Sequence, residues 1–497
     1  MKEVLTPAQA READRLLMEE HGIPGTELME RAAEGVVSAV LAKILPADKV
    51  LVLCGAGNNG GDGLAALRLL QDAGVSAEAY LACDPQAYRG DAQINLQRAK
   101  ASGCRFLEEW PEFNRYACIV DALFGTGLSR EVCGSTADLI EGANACAAYR
   151  ISVDIPSGID GATGRSLGVA IRADETVTFQ YVKRGLLLFP GRAHAGKLTL
   201  HPIAPVYPVQ SDVHWLEEVD IAALLPPRPL DSHKGKNGRA LLLAGSDRYT
   251  GAALMSAMAA LRGGTGLLTV AVPAALKEAF ARIPEAMCVP CGAGGTWDGA
   301  AQADAARLLA DRTALGLGCG MGEMEGQLLL RSALMAGVPT VLDADALNAM
   351  SRCRDLLALL HSRCVLTPHP AEMARLIDTS TAEVLADPIG IARETAARFG
   401  CVVLLKGATS CISDGRDVYL NTSGNPGLAK GGSGDVLTGL LLAMLSQGLA
   451  PLKAACAAAF LLGASADRAY AVLGNRMLLA GDVIDAITQE IHAERVR

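Results

Sequence analysis

The sequence predicts an α/β protein of two domains, each a largely parallel sheet between two layers of helices, three layers in all. Length, alternation and composition lead there. The chain has 497 residues, more than one hydrophobic core usually organises. Short apolar runs alternate with helical periodicity in both halves. Hydrophobic residues make up 50% of the chain while Phe, Trp and Tyr make up 4%, so small and aliphatic side chains must fill the interior. Small residues let helices approach a doubly covered sheet closely.

In the first half, residues 8–17 and 26–45 read as helices, with Thr26 as a cap and Pro46 as a stop. Residues 50–54 form an apolar strand running into glycines, 64–73 a helix, and 77–82, 118–122 and 150–155 further strands. Pro202, Pro205, Pro208, Pro226, Pro227 and Pro229 then crowd together. Proline withholds the N–H that sheets and helices use, so this stretch reads as a linker with one short helix around Asp220. The boundary is expected within residues 210–225, giving domains 1–212 and 213–497. In the second half, residues 240–244, 267–272, 313–317, 340–343, 364–367 and 401–406 read as strands and 252–262 as a helix. Asp414-Gly415 reads as a hairpin turn between 411–413 and 418–420, and three helices close the chain.

A net charge of −9 with no Lys/Arg cluster argues against a nucleic-acid partner. The polar, charged first 20 residues argue against a secretory signal. The apolar stretch 436–445 is followed by Ser446, Gln447 and Gly448, too short to span a bilayer, so a buried helix and no membrane association are expected. The 14 cysteines are scattered. Cys288 and Cys291 form a C-x-x-C pair without a second pair at zinc spacing, and they read as strand cysteines in a cytoplasmic protein.

Three strand ends of the first half carry chemistry. Gly55, Gly57 and Gly60 satisfy G-x-G-x-x-G after a strand, and Glu78 lies where a Rossmann-like domain places its ribose acid. Yet Asn58, Asn59 and Asp62 crowd the same loop, and an acid there repels phosphate unless it only caps the helix. Asp121 ends a second strand; Asp154 and Ser157 end a third. Ligands of open parallel sheets sit outside such ends, and an all-oxygen set suits a hard cation rather than zinc.

Gly57-Asn58-Asn59-Gly60-Gly61-Asp62-Gly63, Asp121 to Leu128 and Asp154-Ile155-Pro156-Ser157-Gly158, with Lys183 and Gly185 to Gly191 later, resemble the NAD(P)H-hydrate epimerase family. The resemblance implies that Asn58, Asn59, Gly60, Gly61, Asp62, Gly125, Thr126, Gly127, Leu128, Ser129, Arg130, Glu131 and Asp154 contact the hydrated cofactor. It implies that Asn59, Asp121 and Ser157 bind potassium, and it makes Asp154 the candidate for acid–base work.

The second half holds Gly431-Gly432-Ser433-Gly434-Asp435 before an apolar helix. Glycines at a helix start offer N–H groups to a transferred phosphoryl, and Asp435 can take the proton of an attacking hydroxyl unless it only caps the helix. Asp343, Asp345 and Asn348, then His369, then Lys406 follow other strands; Lys406 is placed to offset phosphate charge and His369 to face the crevice. With Lys234 to Arg239, Gly245-Ser246, Tyr249 to Ala252, Gly318 to Gly322 and Thr367-Pro368-His369-Pro370, this set resembles the ribokinase-like fold and its NAD(P)H-hydrate dehydratase branch. The resemblance implies that Lys406, Gly407, Ala408, Thr409, Ser410 and Gly434 face the nucleotide, and that Ala253, Gly320, His369 and Asp435 meet the hydrate. It implies Mg²⁺ at this site, ADP as co-substrate and a homo-oligomer, with a tetramer among the options. Cys319 stands where that family usually has proline, so a local backbone change without loss of activity is expected.

Together the resemblances cover roughly residues 8 to 490. They imply nicotinamide-nucleotide repair: epimerisation of the R and S hydrates, then dehydration of the S form with ADP giving AMP and phosphate. A kinase of a small alcohol with a regulatory N-terminal module is the competing reading, and a non-catalytic nucleotide-binding scaffold a third. A kinase would leave a stable phosphorylated product, repair would release phosphate, and the intact Gly434-Asp435 pair counts against a scaffold.

Overall fold

The computed structural model describes residues 1–205, 209–225, 228–324, 327–474 and 476–493. The chain divides into two compact units, Lys2–Ser211 and Asp212–Arg497, with Met1 counted in the second. The division falls inside the proline-crowded stretch, of which Pro208, Pro226 and Pro227 lie outside the described residues. The short helix expected around Asp220 is Glu218–Leu224.

In the first unit seven parallel strands run in the order Arg105–Phe106, Ser76–Leu81, Lys49–Cys54, Cys118–Ala122, Tyr149–Val153, Glu175–Phe179 and Lys197–His201. Successive strands step outward from Lys49–Cys54 one way and then the other, so the order reverses between Lys49–Cys54 and Cys118–Ala122. Loops leaving such a switch point part to opposite faces and open a crevice at the strands' carboxyl ends. The strands Lys49–Cys54 and Cys118–Ala122 are almost wholly buried, which is why they read as continuous apolar runs.

Three helical expectations change. The helix after the first strand is Asn58–Asp72, beginning six residues before residue 64, with Gly57 as its N-cap. Asp62 is therefore inside the helix and does not cap it. Thr26 likewise sits inside helix Gly25–Leu41, whose N-cap Pro24 makes no side-chain bond, and that helix ends before Pro46 is reached. By contrast, helix Pro7–Glu20 has a reciprocal cap, Thr6 with Gln9, and proline in its first turn.

Packing explains the first and last glycines of G-x-G-x-x-G, while a Cβ at the middle one, Gly57, would meet nothing within 4 Å. A Cβ at Gly60 would lie 1.7 Å from the Gly55 carbonyl oxygen, and one at Gly55 would lie 1.9 Å from that of Leu123. The helix can start hard against the strand only because both are bare.

In the second unit the strand order is Met287–Cys291, Leu267–Pro273, Arg239–Leu243, Ala314–Leu317, Thr340–Leu342, Cys364–Leu366, Val402–Leu405, Ser410–Ser413, Val418–Asn421 and Val213–Trp215. Its first seven strands are parallel and the hairpin around Asp414-Gly415 is antiparallel, with Ser413 opposite Val418. Here the order reverses between Arg239–Leu243 and Ala314–Leu317. Helix Ser433–Ser446 is buried from Val436 to its end and lies against Thr250–Arg262, where a Cβ at Gly439 would come 2.2 Å from the Ser256 carbonyl oxygen. Cys288 and Cys291 sit on a strand and all 14 cysteines are free thiols. One helix, Pro451–Leu473, has the length and apolarity to cross a bilayer; half of its apolar window is buried inside the protein, where it lines the main core.

Gly60→Ala should therefore overpack the first unit by about 1–3 kcal/mol. Scanning calorimetry of the whole chain should show a transition lowered by roughly 2–4 °C for each kcal/mol; an unchanged profile would mean that the loop gives way without cost.

Candidate functional site

The crevice of the first unit is a cavity of about 560 Å³. Asn58, Asn59 and Asp62 reach its wall from the first turns of Asn58–Asp72; Gly125, Thr126, Gly127, Leu128, Ser129 and Arg130 from the loop after Cys118–Ala122; Asp154 from the turn after Tyr149–Val153. Gly60, Gly61 and Glu131 are not part of the wall. Gly60 is pressed on Gly55, Gly61 on Ala92 and Met29, and Glu131 is exposed beyond the loop. Glu78 is not a ribose acid. It is buried in its strand, accepts from the Tyr116 hydroxyl at 2.9 Å and pairs with Arg105 at 3.0 Å.

Asp154 adopts φ +65, a left-handed conformation that is rare outside glycine, asparagine and aspartate and places its side chain at the strand tip. Its Oδ1 accepts hydrogen bonds from Lys183 Nζ and, at 3.0 Å, from Thr178 Oγ1. Lys183 is buried and also donates to Phe179 O at 3.1 Å. A buried ammonium needs such partners, and they fix the carboxylate's orientation.

Asp121 is wholly buried. Oδ2 accepts from Ser152 Oγ and Ser157 N, both at 2.8 Å; Oδ1 accepts from Ser157 Oγ at 2.5 Å and Leu123 N at 3.3 Å. Burial pushes its pKa up, and these four bonds pull against it. Ser157 Oγ further receives the Phe124 N–H at 2.8 Å. Asn59 is buried beside Gly125 and its amide nitrogen finds no hydrogen-bond partner among the described residues. Asp121 and Ser157 lie behind the cavity wall, not in it.

Sequence reasoning missed Asp14 and Arg11, both on helix Pro7–Glu20 and both in the cavity wall. Arg11 Nη1 donates to Thr126 O at 3.2 Å. The signal was available. Ala10, Ala13 and Leu17 form the helix's buried face, and Asp14 falls among them at positions i+4, i+1 and i−3.

In the second unit Asp343, Lys406, Glu372, Thr438 and Gly434 converge. Lys406 Nζ donates to Asp343 Oδ1 at 2.7 Å and lies 3.8 Å from Glu372 Oε2. Thr438 Oγ1 donates to Asp343 Oδ2 at 3.0 Å. A Cβ at Gly434 would come 3.5 Å from Asp343 and 3.6 Å from Lys406 Nζ, so the glycine loop sits directly over the pair. Burial works against the Lys406 charge, but the two carboxylates outweigh it and raise its pKa. Lys406 thus reaches the expected anion loop with its charge already balanced. Gly407, Ala408, Thr409 and Ser410 form the turn and strand start beyond it.

Asp435 lies in the first turn of Ser433–Ser446, whose N-cap is Gly432 and carries no side-chain bond, so Asp435 is not the cap. Burial, with Asp343 and Asp345 adding repulsion, pushes its pKa up to about 6 against a hydrogen bond from the Cys319 thiol and the Lys406 charge. Cys319 is wholly buried between Gly318 at φ +118 and Gly320 at φ +61. A Cβ at Gly320 would strike Ala252 and Tyr249 at 2.7 Å, and Ala253 is buried in that same helix. His369 is half-buried and caps helix Pro370–Ile377, its Nδ1 accepting from Ala371 N at 3.1 Å and Glu372 N at 3.3 Å. Its Nε2 stands 3.5 Å from Glu372. The histidine is thus a helix cap as well as a candidate contact. Among the described residues no group of three or more His, Cys, Asp and Glu side chains could hold a metal by itself.

Two protein families match the chain: NAD(P)H-hydrate dehydratase over residues 240–489, and the YjeF-related protein N-terminus over residues 25–185. The bifunctional NAD(P)H-hydrate repair enzyme of Moorella thermoacetica is 38% identical, aligned over 97% of this chain and 95% of its own. The enzyme of the same name from Escherichia coli is 33% identical over 97% and 93%. A ribokinase-like superfamily protein from Enterococcus faecalis, solved by crystallography, shares the fold of the second unit with a TM-score of 0.52 and 23% identity, covering 59% of this chain and 99% of its own.

Lys406→Met should leave Asp343 as an uncompensated buried anion and cost about 3–5 kcal/mol in denaturant titration. Adding Asp343→Asn should recover part of that loss. If the double variant is no more stable than the single one, the pair is not coupled.

Proposed function

The chain belongs to the bifunctional NAD(P)H-hydrate repair enzymes, and from that membership we propose how its two units divide the work: Lys2–Ser211 interconverts the R and S hydrates of NAD(P)H, and Asp212–Arg497 dehydrates the S form at the expense of ADP. The carrying observation is that two separate strand-end sites, each with a buried carboxylate network, occur in one polypeptide whose relatives are aligned over nearly its whole length. The kinase and scaffold readings are set aside, because relatives aligned over nearly the whole chain carry the name of bifunctional NAD(P)H-hydrate repair enzymes.

Hydration of the dihydropyridine ring places a hydroxyl on the carbon beside the ring nitrogen. Inverting that carbon needs the ring held and a proton moved. Asn58, Asn59 and the loop from Gly125 to Arg130 supply the holding surface, and Asp154, oriented by Lys183 and Thr178, supplies an acceptor at fixed position. A potassium ion fits the oxygens beside this wall. Asp121, Ser157 and the Phe124 carbonyl are already grouped, and the unpartnered Asn59 amide can turn its oxygen toward them, since amide orientation is interchangeable. Bound there, the ion would fix the Asn58–Asp62 turn against the Gly125 loop.

In the second unit Asp435 takes the proton from the hydrate's hydroxyl as its oxygen attacks the terminal phosphoryl group of ADP. AMP departs, the phosphorylated hydroxyl then leaves as phosphate, and loss of the neighbouring ring proton restores the double bond. A pKa near 6 leaves Asp435 ionised at neutral pH yet basic enough to accept that proton. The backbone N–H groups from Gly431 to Gly434 face the transferred group, with Lys406 beneath them. Mg²⁺ carried on the nucleotide suits a site with Asp343 and Glu372 nearby but no three-carboxylate cage among the described residues. The tetramer and the cytoplasmic location belong to the same reading.

Asp435→Asn should lower nucleotide-dependent recovery of reduced-nicotinamide absorbance from S hydrate by roughly 10²–10⁴ and leave epimerisation intact. Unaltered turnover would remove Asp435 from the mechanism. Asp121→Ala should weaken epimerisation of pure R hydrate and flatten its potassium dependence, with excess separate dehydratase as reporter, while dehydration continues. A wild-type potassium curve in that variant would overturn the ion site.

A further inference from the structure

Four carboxyl groups line the first unit's cavity: Asp14, Asp62, Asp91 and Asp154. Asp154 is held by Lys183 and Thr178. Asp14 has neither a hydrogen bond nor an ion pair among the described residues, although it stands on the inner side of its helix between Ala10 and Leu17. Leaving an acid unpartnered in a cavity wall carries a stability cost that packing does not explain. Asp14 also arrives from a different element than Asp154. Helix Pro7–Glu20 precedes the sheet, whereas Asp154 follows one of the sheet's central strands.

We propose that Asp14 is the second proton-handling residue of the epimerase cavity, delivering to the hydrate's hydroxyl the proton that lets it leave, while Asp154 accepts the proton of the water that returns. The proposal rests on reading Lys2–Ser211 as the epimerase. The step balances. The hydroxyl takes the Asp14 proton and departs as water, and the C–O electron pair goes with it. The ring nitrogen's lone pair holds the planar cation that remains. One water adds from the other face, gives a proton to Asp154, and the pair is reset by proton exchange with solvent. No oxidant or reductant is needed.

Burial pushes the Asp14 pKa up to about 6, Asp154 adding to the effect and Lys183 opposing it. Asp62 is also driven upward by burial, with Asp154 and Asp14 adding to the effect and Lys183 opposing it. The other groups facing Asp14 are the Tyr181 hydroxyl and, on its own helix, Arg11. An acid required in its protonated form, with a pKa near 6, predicts a kcat that falls as pH rises past 6, the carboxyl being then mostly ionised.

The test is epimerisation of pure R hydrate by the full chain from pH 5.5 to pH 8, after subtraction of the enzyme-free rate. Asp14→Asn is expected to lower kcat by roughly 10²–10⁴ with KM changed less than about threefold, and to lose the wild-type decline above pH 6. Asp14→Glu should regain part of the rate. Nucleotide-dependent dehydration of S hydrate by the same samples should stay at the wild-type level, reporting equal enzyme, and an unshifted calorimetric transition of the first unit should report its intact fold. A full rate in Asp14→Asn, a loss confined to KM, or an unaltered pH profile would each overturn the proposal. Absence of epimerisation in the wild-type chain would instead overturn the reading of the unit.

Discussion

The first unit depends on keeping the Asp121 carboxylate out of water without leaving it unpaired. Burial raises the cost of its charge, and four hydrogen bonds from Leu123, Ser152 and Ser157 answer that cost. Those donors come from its own loop, the neighbouring strand and the turn beyond that strand. Satisfying one anion therefore fixes three segments of chain. The Gly125 loop and the Asp154 turn, which form much of the cavity wall, are the continuations of those segments. The site's precision follows from a requirement of burial, because a half-satisfied network would be worse than an apolar core.

The second unit meets the same constraint with a cation. Asp343 ends strand Thr340–Leu342 and is almost fully buried, and Lys406 and Thr438 bring the neighbouring elements to it. Helix Ser433–Ser446 is thereby anchored with its glycine turn over the pair and Asp435 beside Cys319. In both units the side chain proposed to react, Asp154 or Asp435, is not itself the structural hub. Asp154 follows the strand that carries Ser152, and Asp435 lies one helical turn before Thr438, so each is tied through a neighbouring donor to a buried carboxylate.

Much of the fold was legible because parallel strands buried on both faces show as apolar runs, and glycines mark where they end. Strands such as Cys118–Ala122 and Ser410–Ser413 lie within a residue of expectation. The helix Asn58–Asp72 was placed late because asparagine and glycine are weak helix formers, and only packing against the strand makes them helical. Asp62 and Asp435 both look like caps locally, and their exclusion from that role needs the observed helix starts. Long-range pairs were beyond local pattern. Lys406 and Asp343 are 63 residues apart, and Lys183 and Asp154 are 29. The Cys319–Asp435 contact was invisible for the same reason, and Asp14 went unremarked although its helix face announced it.

Under the proposed function the Lys406–Asp343 pair bears on turnover as much as on folding. A lysine waiting with bare charge would clasp any phosphate firmly and surrender it slowly. A lysine with a resident counter-ion exchanges one anion for another, so the incoming phosphoryl group gains only the difference between the two. When phosphate departs, Asp343 is 2.7 Å away to take the cation back. Under the proposed function the ion pair acts as a return spring for the catalytic cycle, trading tightness of grip for ease of release.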